Sequence, residues 1–238
     1  MPFTMFNLAE AAEYLSLRAD VLEELARRGE IPCERQGGRV VFRHCEIDEW
    51  ASKRMLAMGD ERVADYHRRT LEETPLMSSL AGVDRMWPGL TCRTKASVLR
   101  EMCDRADGTG LVCDKEDLRK SLEAREEMCS TALEGGLALL HPRHHEPYMF
   151  VESFVALGRT VGQVPFGAPD GTTTDLFFLV CCQNDRLHLH VLARLCLMCH
   201  KTNLLPGLRE TESPREMMAL LEESEREVLR ATGGGRHI

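Results

Sequence analysis

From about residue 80 onward, short apolar runs of strand length alternate with amphipathic stretches of helix length. This alternation limits the fold more than any other property of the chain. Leu137 to His141, Phe150 to Arg159 and Leu176 to Cys182 read as strands. Lys95 to about Ala106, Lys115 to Met128 and Leu187 to about Lys201 read as helices, with apolar side chains recurring on one face. Ser213-Pro214-Arg215-Glu216 is a capping box with proline at the first helical position, opening a last helix through about Leu229. Helices around a mixed sheet of short strands make an α/β sandwich.

The first 55 residues follow a different plan. Asn7 caps a helix with Glu10 as its reciprocal partner, and Leu8, Ala11, Ala12 and Leu15 form its apolar stripe. A second helix is expected from Ser16, with Val21, Leu22, Leu25 and Ala26 inward, stopping at Gly29 before Pro32. Glu34 to Phe42 reads as two short strands about the Gly37-Gly38 turn. Glu46 to about Met55 closes the unit as a third helix with Trp50 facing in. Two helices, a glycine-turned wing and a third helix give a small winged helix-turn-helix. Between it and the sandwich, residues 56–79 carry mixed charge and read as a solvated helical linker, so the expected division is 1–55, 56–79 and 80–238.

The A-E-Y-L, R-G-E-I-P and G-G-R-x-x-F-R elements of residues 7–50 resemble the excisionase-type, MerR-like DNA-binding domain. The resemblance implies a second helix in the major groove of double-stranded DNA and a wing on the backbone, where Arg35, Arg39 and Arg43 match. Two features of this chain oppose that role. The outer face of the second helix carries Asp20, Glu23 and Glu24, and residues 1–55 hold eight Arg plus Lys against ten Asp plus Glu. Phosphate neutralisation dominates DNA affinity. DNA reading and a protein-interaction role for the winged fold therefore both stay open here.

The whole chain of 238 residues has a formal net charge of −8, which argues against general coating of nucleic acid. The longest clean apolar run, Leu176 to Cys182, is too short to span a bilayer. No signal peptide is evident, which points to the cytoplasm and makes the ten cysteines thiols rather than a disulfide framework. Cys196-Leu197-Met198-Cys199-His200 fits a haem-attachment pattern, yet Val191, Leu192, Leu195 and Met198 recur at helical spacing around it. These cysteines read as core. His144 and His145 are adjacent in a polar loop and read as solvated rather than as metal ligands. No cofactor is expected.

One set of residues carries chemistry. His141 ends the Gly136-to-His141 strand. Arg125-Glu126 lies upstream, Ser130-Thr131 lies between, and His188-Leu189-His190 follows the apolar run from Leu176. A nucleophilic imidazole, a guanidinium, hydroxyl donors and a second imidazole are what phosphoryl transfer through histidine requires.

With Phe166 to Gly171 as a hairpin and Asp175 to Leu179 as a core strand, residues 90–230 are similar to enzyme IIA domains of the fructose–mannitol–nitrogen type, of the bacterial phosphoenolpyruvate-dependent phosphotransferase system (PTS). The resemblance implies a phosphohistidine carrier that takes a phosphoryl group from HPr or its nitrogen-branch relative and passes it on, for instance to a PTS permease subunit. In that scheme His141 is the nucleophile, Arg125 clamps the phosphate, Ser130 or Thr131 donates to it, and His188 is the second imidazole. The family's proline before the histidine is Leu140 here. A different class of function is a transcriptional regulator whose second domain only docks partners.

Overall fold

Leu137 to Leu140 has no polar face, as befits a strand buried on both sides, and it lies inside the sheet rather than at its edge. The computed structural model describes residues 5–15, 17–44, 46–47, 50–51, 54, 63–64, 66, 75–143 and 147–231. The second part of the chain forms a five-stranded mixed sheet from β4 (Met86–Leu90), β5 (Ala132–Leu133), β6 (Leu137–Leu140), β7 (Phe154–Val164) and β8 (Thr174–Cys181). Spatial order is β4-β7-β8-β6-β5. The β4–β7 and β6–β8 pairs are parallel, and β7–β8 and β5–β6 are antiparallel. Leu139 sits opposite Phe178 and Leu140 opposite Leu179.

Side chains on a strand alternate between faces, and here both faces are covered. Ala138, Leu140, Phe177 and Leu179 join a cluster with α4 (Lys95–Asp107) and α5 (Lys115–Met128). Leu137, Leu139, Leu176 and Phe178 join the opposite cluster with α6 (Asp185–Lys201), α7 (Leu204–Glu210) and α8 (Pro214–Ala231). Each fully buried large apolar side chain is worth about 1.5–3 kcal/mol, so this sandwich is held mainly by burial. The expected α/β sandwich is what forms.

A buried ion pair locks α6 to α8. Arg194 Nη1 donates to Glu225 Oε1 at 2.7 Å and to the Pro75 carbonyl at 2.7 Å, and the Met77 amide donates to the same Oε1. Arg194 Nη2 donates to His190 Nε2 at 2.8 Å. The network also fixes the start of the short helix α3 (Met77–Leu80). Burial lowers the Arg194 pKa, against the pull of Glu225.

The first part forms a three-stranded antiparallel sheet, ordered β1-β3-β2, from β1 (Met5–Asn7), β2 (Glu34–Gln36) and β3 (Arg39–Arg43). Helix α1 (Leu8–Tyr14) carries the expected capping box: the Asn7 side chain accepts from Ala9 and Glu10, and Glu10 accepts from the Asn7 amide. Helix α2 (Ala19–Arg28) ends at Gly29 in the left-handed region, φ 71°. Gly37 and Gly38 take φ 57° and 80°, the pair of positive values that a tight hairpin turn needs.

Several boundaries differ from expectation. Helix α2 begins at Ala19, while Ser16 lies outside the described residues; Val21 is 37% exposed because it sits off the stripe of Leu22 and Leu25. Trp50 is half-buried, packs against the core and donates to the Glu30 carbonyl at 2.6 Å. In the stretch expected as a linker, Val63 and Tyr66 are helical and buried, so one face of it is covered.

Candidate phosphoryl-transfer site

His141 directly follows β6 and is 2% exposed. Its parity is that of Leu137 and Leu139, the face covered by α6, and His188 in the first turns of α6 meets it there. The two imidazole centroids are 4.7 Å apart at 46°. Arg125 approaches from the last turn of α5, itself 2% exposed. The sheet end thus collects one side chain from each flanking layer.

Hydrogen bonding determines the form of His141. Nδ1 lies 2.8 Å from the Leu139 carbonyl, which can only accept, so Nδ1 carries the proton. Nε2 lies 3.0 Å from Arg125 Nε, which can only donate, so Nε2 offers a lone pair. Both constraints select the neutral imidazole with its nucleophilic nitrogen on the guanidinium. Arg125 Nη1 donates to the Cys129 carbonyl at 3.0 Å and to its Sγ at 3.4 Å. Among the described residues, buried Arg125 Nη2 has no hydrogen-bond partner. A buried cationic donor without an acceptor is costly, and an oxyanion is the ligand that would satisfy it.

Ser130 and Thr131 are close at hand, and their hydroxyl protons are already placed. Ser130 Oγ donates to the Phe166 carbonyl at 2.8 Å and accepts from the Ala132 amide. Thr131 Oγ1 donates to Glu126 Oε2 at 2.7 Å, and the Thr131 amide donates to the same carboxylate. Glu126 also pairs with Lys95 Nζ at 2.8 Å. Lys95 stands 4.8 Å over the Phe166 ring at the start of α4, so one cation joins α4, the site and the β7–β8 connection. No local signal in the sequence singled out Lys95. Its partner is 31 positions away, and Glu126 showed only as the neighbour of Arg125.

Residues 83–224 match the family described as "Phosphoenolpyruvate-dependent sugar phosphotransferase system, EIIA 2", more than half of the chain. The chain belongs to this family. Residues 5–55 match the helix-turn-helix domain family, so a helix-turn-helix domain precedes the EIIA domain. The nitrogen regulatory protein IIA-Ntr of Neisseria meningitidis is similar at 26% identity and TM-score 0.55, covering 61% of this chain and 98% of that one. Enzyme IIA mannitol of Escherichia coli is similar in fold at 21% identity and TM-score 0.53, covering 59% of this chain and 97% of that one. Among curated relatives, the PTS system fructose-specific EIIABC component of Bacillus subtilis (strain 168) is 23% identical over 136 residues, 56% of this chain. The chain spans about a fifth of that relative's length, 21%.

The remaining residues of interest lie apart from the EIIA site. Arg35 and Arg39 are exposed on the wing, whereas Arg43 is engaged by Glu34 and by Glu46. On α2, Glu24 is held by Arg27 and Arg28, whose hydrogen bonds lower its pKa to about 2. Cys196 and Cys199 are buried in α6 among core residues. His144 and His145 fall outside the described residues. Among the described residues no helix is long and apolar enough to cross a membrane.

Proposed function

We propose that the EIIA domain carries a phosphoryl group on His141 Nε2. It receives the group from an HPr-type phosphocarrier or its nitrogen-branch relative, and passes it to a downstream PTS subunit or holds it as a regulatory charge. The observation that carries this reading is the Arg125 guanidinium, with Nε on the His141 lone pair and a buried Nη2 that lacks a partner among the described residues.

The step follows from these contacts. The incoming phosphoryl oxygens first meet Arg125 Nη2, and the guanidinium turns from His141 to the oxygens as the charge arrives. Nε2, released, attacks phosphorus in line. An N–P bond forms at His141 as the N–P bond of the donor phosphohistidine breaks, and that electron pair returns to the donor imidazole. His141 Nδ1–H stays on the Leu139 carbonyl and holds the ring in place. His188 packs against the ring and, in this reading, hydrogen-bonds the phosphate. Ser130 and Thr131 supply hydroxyl donors once the Phe166 carbonyl and Glu126 give them up. Positioning and fixed charge carry the transfer, without metal or cofactor.

In the helix-turn-helix domain, Arg35 and Arg39 are the cations offered to a DNA backbone, with Arg43 supporting the wing through Glu34. The test of the phosphocarrier reading is incubation with phosphoenolpyruvate, enzyme I and HPr. The wild type acquires an acid-labile phosphate and His141→Ala does not; a wild type that stays unlabelled, or a variant labelled equally, overturns it.

A further inference from the structure

Helix α6 touches both domains within its first two turns. Asp185, its first residue, accepts from His44 Nε2 at 2.6 Å, and His188, three positions on, lies against His141. His44 comes from the helix-turn-helix domain, directly after the last residue of β3. Its ring packs edge-on against Phe6, 5.1 Å, and Tyr14, 5.2 Å, so it is held by both β1 and α1. The Asp185 side chain is 16% exposed and that of His44 is 32% exposed, so the contact is a partly dry one. Further along, α6 is pinned by Arg194 to Glu225 and Pro75.

We propose that the His44–Asp185 contact is a latch docking the helix-turn-helix domain on the EIIA domain, and that a phosphoryl group on His141 opens it. The latch rests on the phosphocarrier reading above for its trigger. A phosphoryl group brings roughly two negative charges beside His188. The amide end of α6 is attracted to that charge, while the Asp185 carboxylate on the same turn is repelled by it. Because the buried Arg194–Glu225 pair holds the rest of the helix, the first turn takes up the change. A contact of 2.6 Å between two side chains does not survive a displacement of that turn. His44, the wing behind it and α1 are then released together.

Hydrogen exchange read by mass spectrometry on the full chain tests this, with and without phosphorylation by the phosphoenolpyruvate, enzyme I and HPr mixture. Exchange within residues 5–44 is expected to quicken several-fold on phosphorylation. His44→Phe keeps the ring packing against Phe6 and Tyr14 but cannot bond Asp185, and Asp185→Ala removes the acceptor. Both are expected to show the faster exchange before phosphorylation and to accept phosphate as the wild type does. A labelled wild type with unchanged or slower exchange overturns the latch and leaves the phosphocarrier reading standing. Unphosphorylated variants that exchange like the wild type also overturn the latch alone. A wild type that takes no phosphate overturns both.

Discussion

Arg125 Nε lies 3.0 Å from His141 Nε2, so in the proposed transfer the nitrogen that would attack is capped by the group that would bind the phosphate. In that proposal one side chain both guards the nucleophile and receives the charge that frees it. Arg125→Lys keeps the charge but loses the fork that spans His141 and an incoming oxygen. Phosphoryl acceptance is expected to slow by about 100-fold, the cost of losing one well-placed donor to developing charge. Time courses of labelling measure it.

Glu126 binds Lys95 and Thr131 from a side chain that is 3% exposed. Glu126→Gln leaves Lys95 without its counter-charge and is expected to cost about 1–3 kcal/mol. Lys95→Met, which strands the buried carboxylate, costs at least as much, and the double variant less than the two together. Urea midpoints of the four proteins close this cycle.

The sequence shows these two layers unequally. Helix α5 runs Lys115–Met128 as its periodicity predicts, and the Asn7 and Gly29 caps stand where local chemistry puts them. Strand β4 was silent because Pro88 and Gly89 interrupt it, which an edge strand tolerates. Helix α7 has no clear sequence signal because Pro206 and Gly207 interrupt it, although proline is admissible in a first helical turn. Strand β7 runs to Val164 rather than Arg159, because Val161, Gly162 and Gln163 are exposed in succession and break the apolar pattern before buried Val164. Arg125, His141 and His188 could be expected to meet. That Arg125 caps His141, and that Lys95 closes the far side through Glu126, depends on contacts between distant elements that no local spacing encodes.

Gly158 in β7 faces α4, where an added Cβ would lie 2.6 Å from both Leu90 Cδ1 and Met102 Sδ. Both neighbours are buried in the core. Gly158→Ala is expected to destabilise by about 1–3 kcal/mol, as overpacking does. Gly162→Ala, on the same strand with nothing within 4 Å, is expected to be neutral or slightly stabilising. Thermal unfolding separates the two.

Burial pushes the Cys103 thiol up to about 12 and raises Cys181, Cys182 and Cys199 above the ordinary thiol value of 9.0. In the native protein at pH 8 these four are expected to resist iodoacetamide while the exposed Cys113 is alkylated. The sign for stability follows from linkage. The unfolded chain ionises these thiols from about pH 9 and the folded chain does not. Their contribution is therefore complete below pH 9 and falls as pH rises toward 12, seen as a declining denaturant midpoint.

The acceptor for His141 Nδ1–H is the carbonyl of Leu139, part of the main chain of an interior strand. For the proposed phosphohistidine, regiochemistry is thus assigned by the polypeptide backbone. No substitution at position 139 deletes that oxygen, and a side chain exchanged there changes packing while the ring keeps its orientation. Sequence drift around the histidine, including leucine at position 140, can alter the approach to the site and still yield the proposed Nε2-linked product.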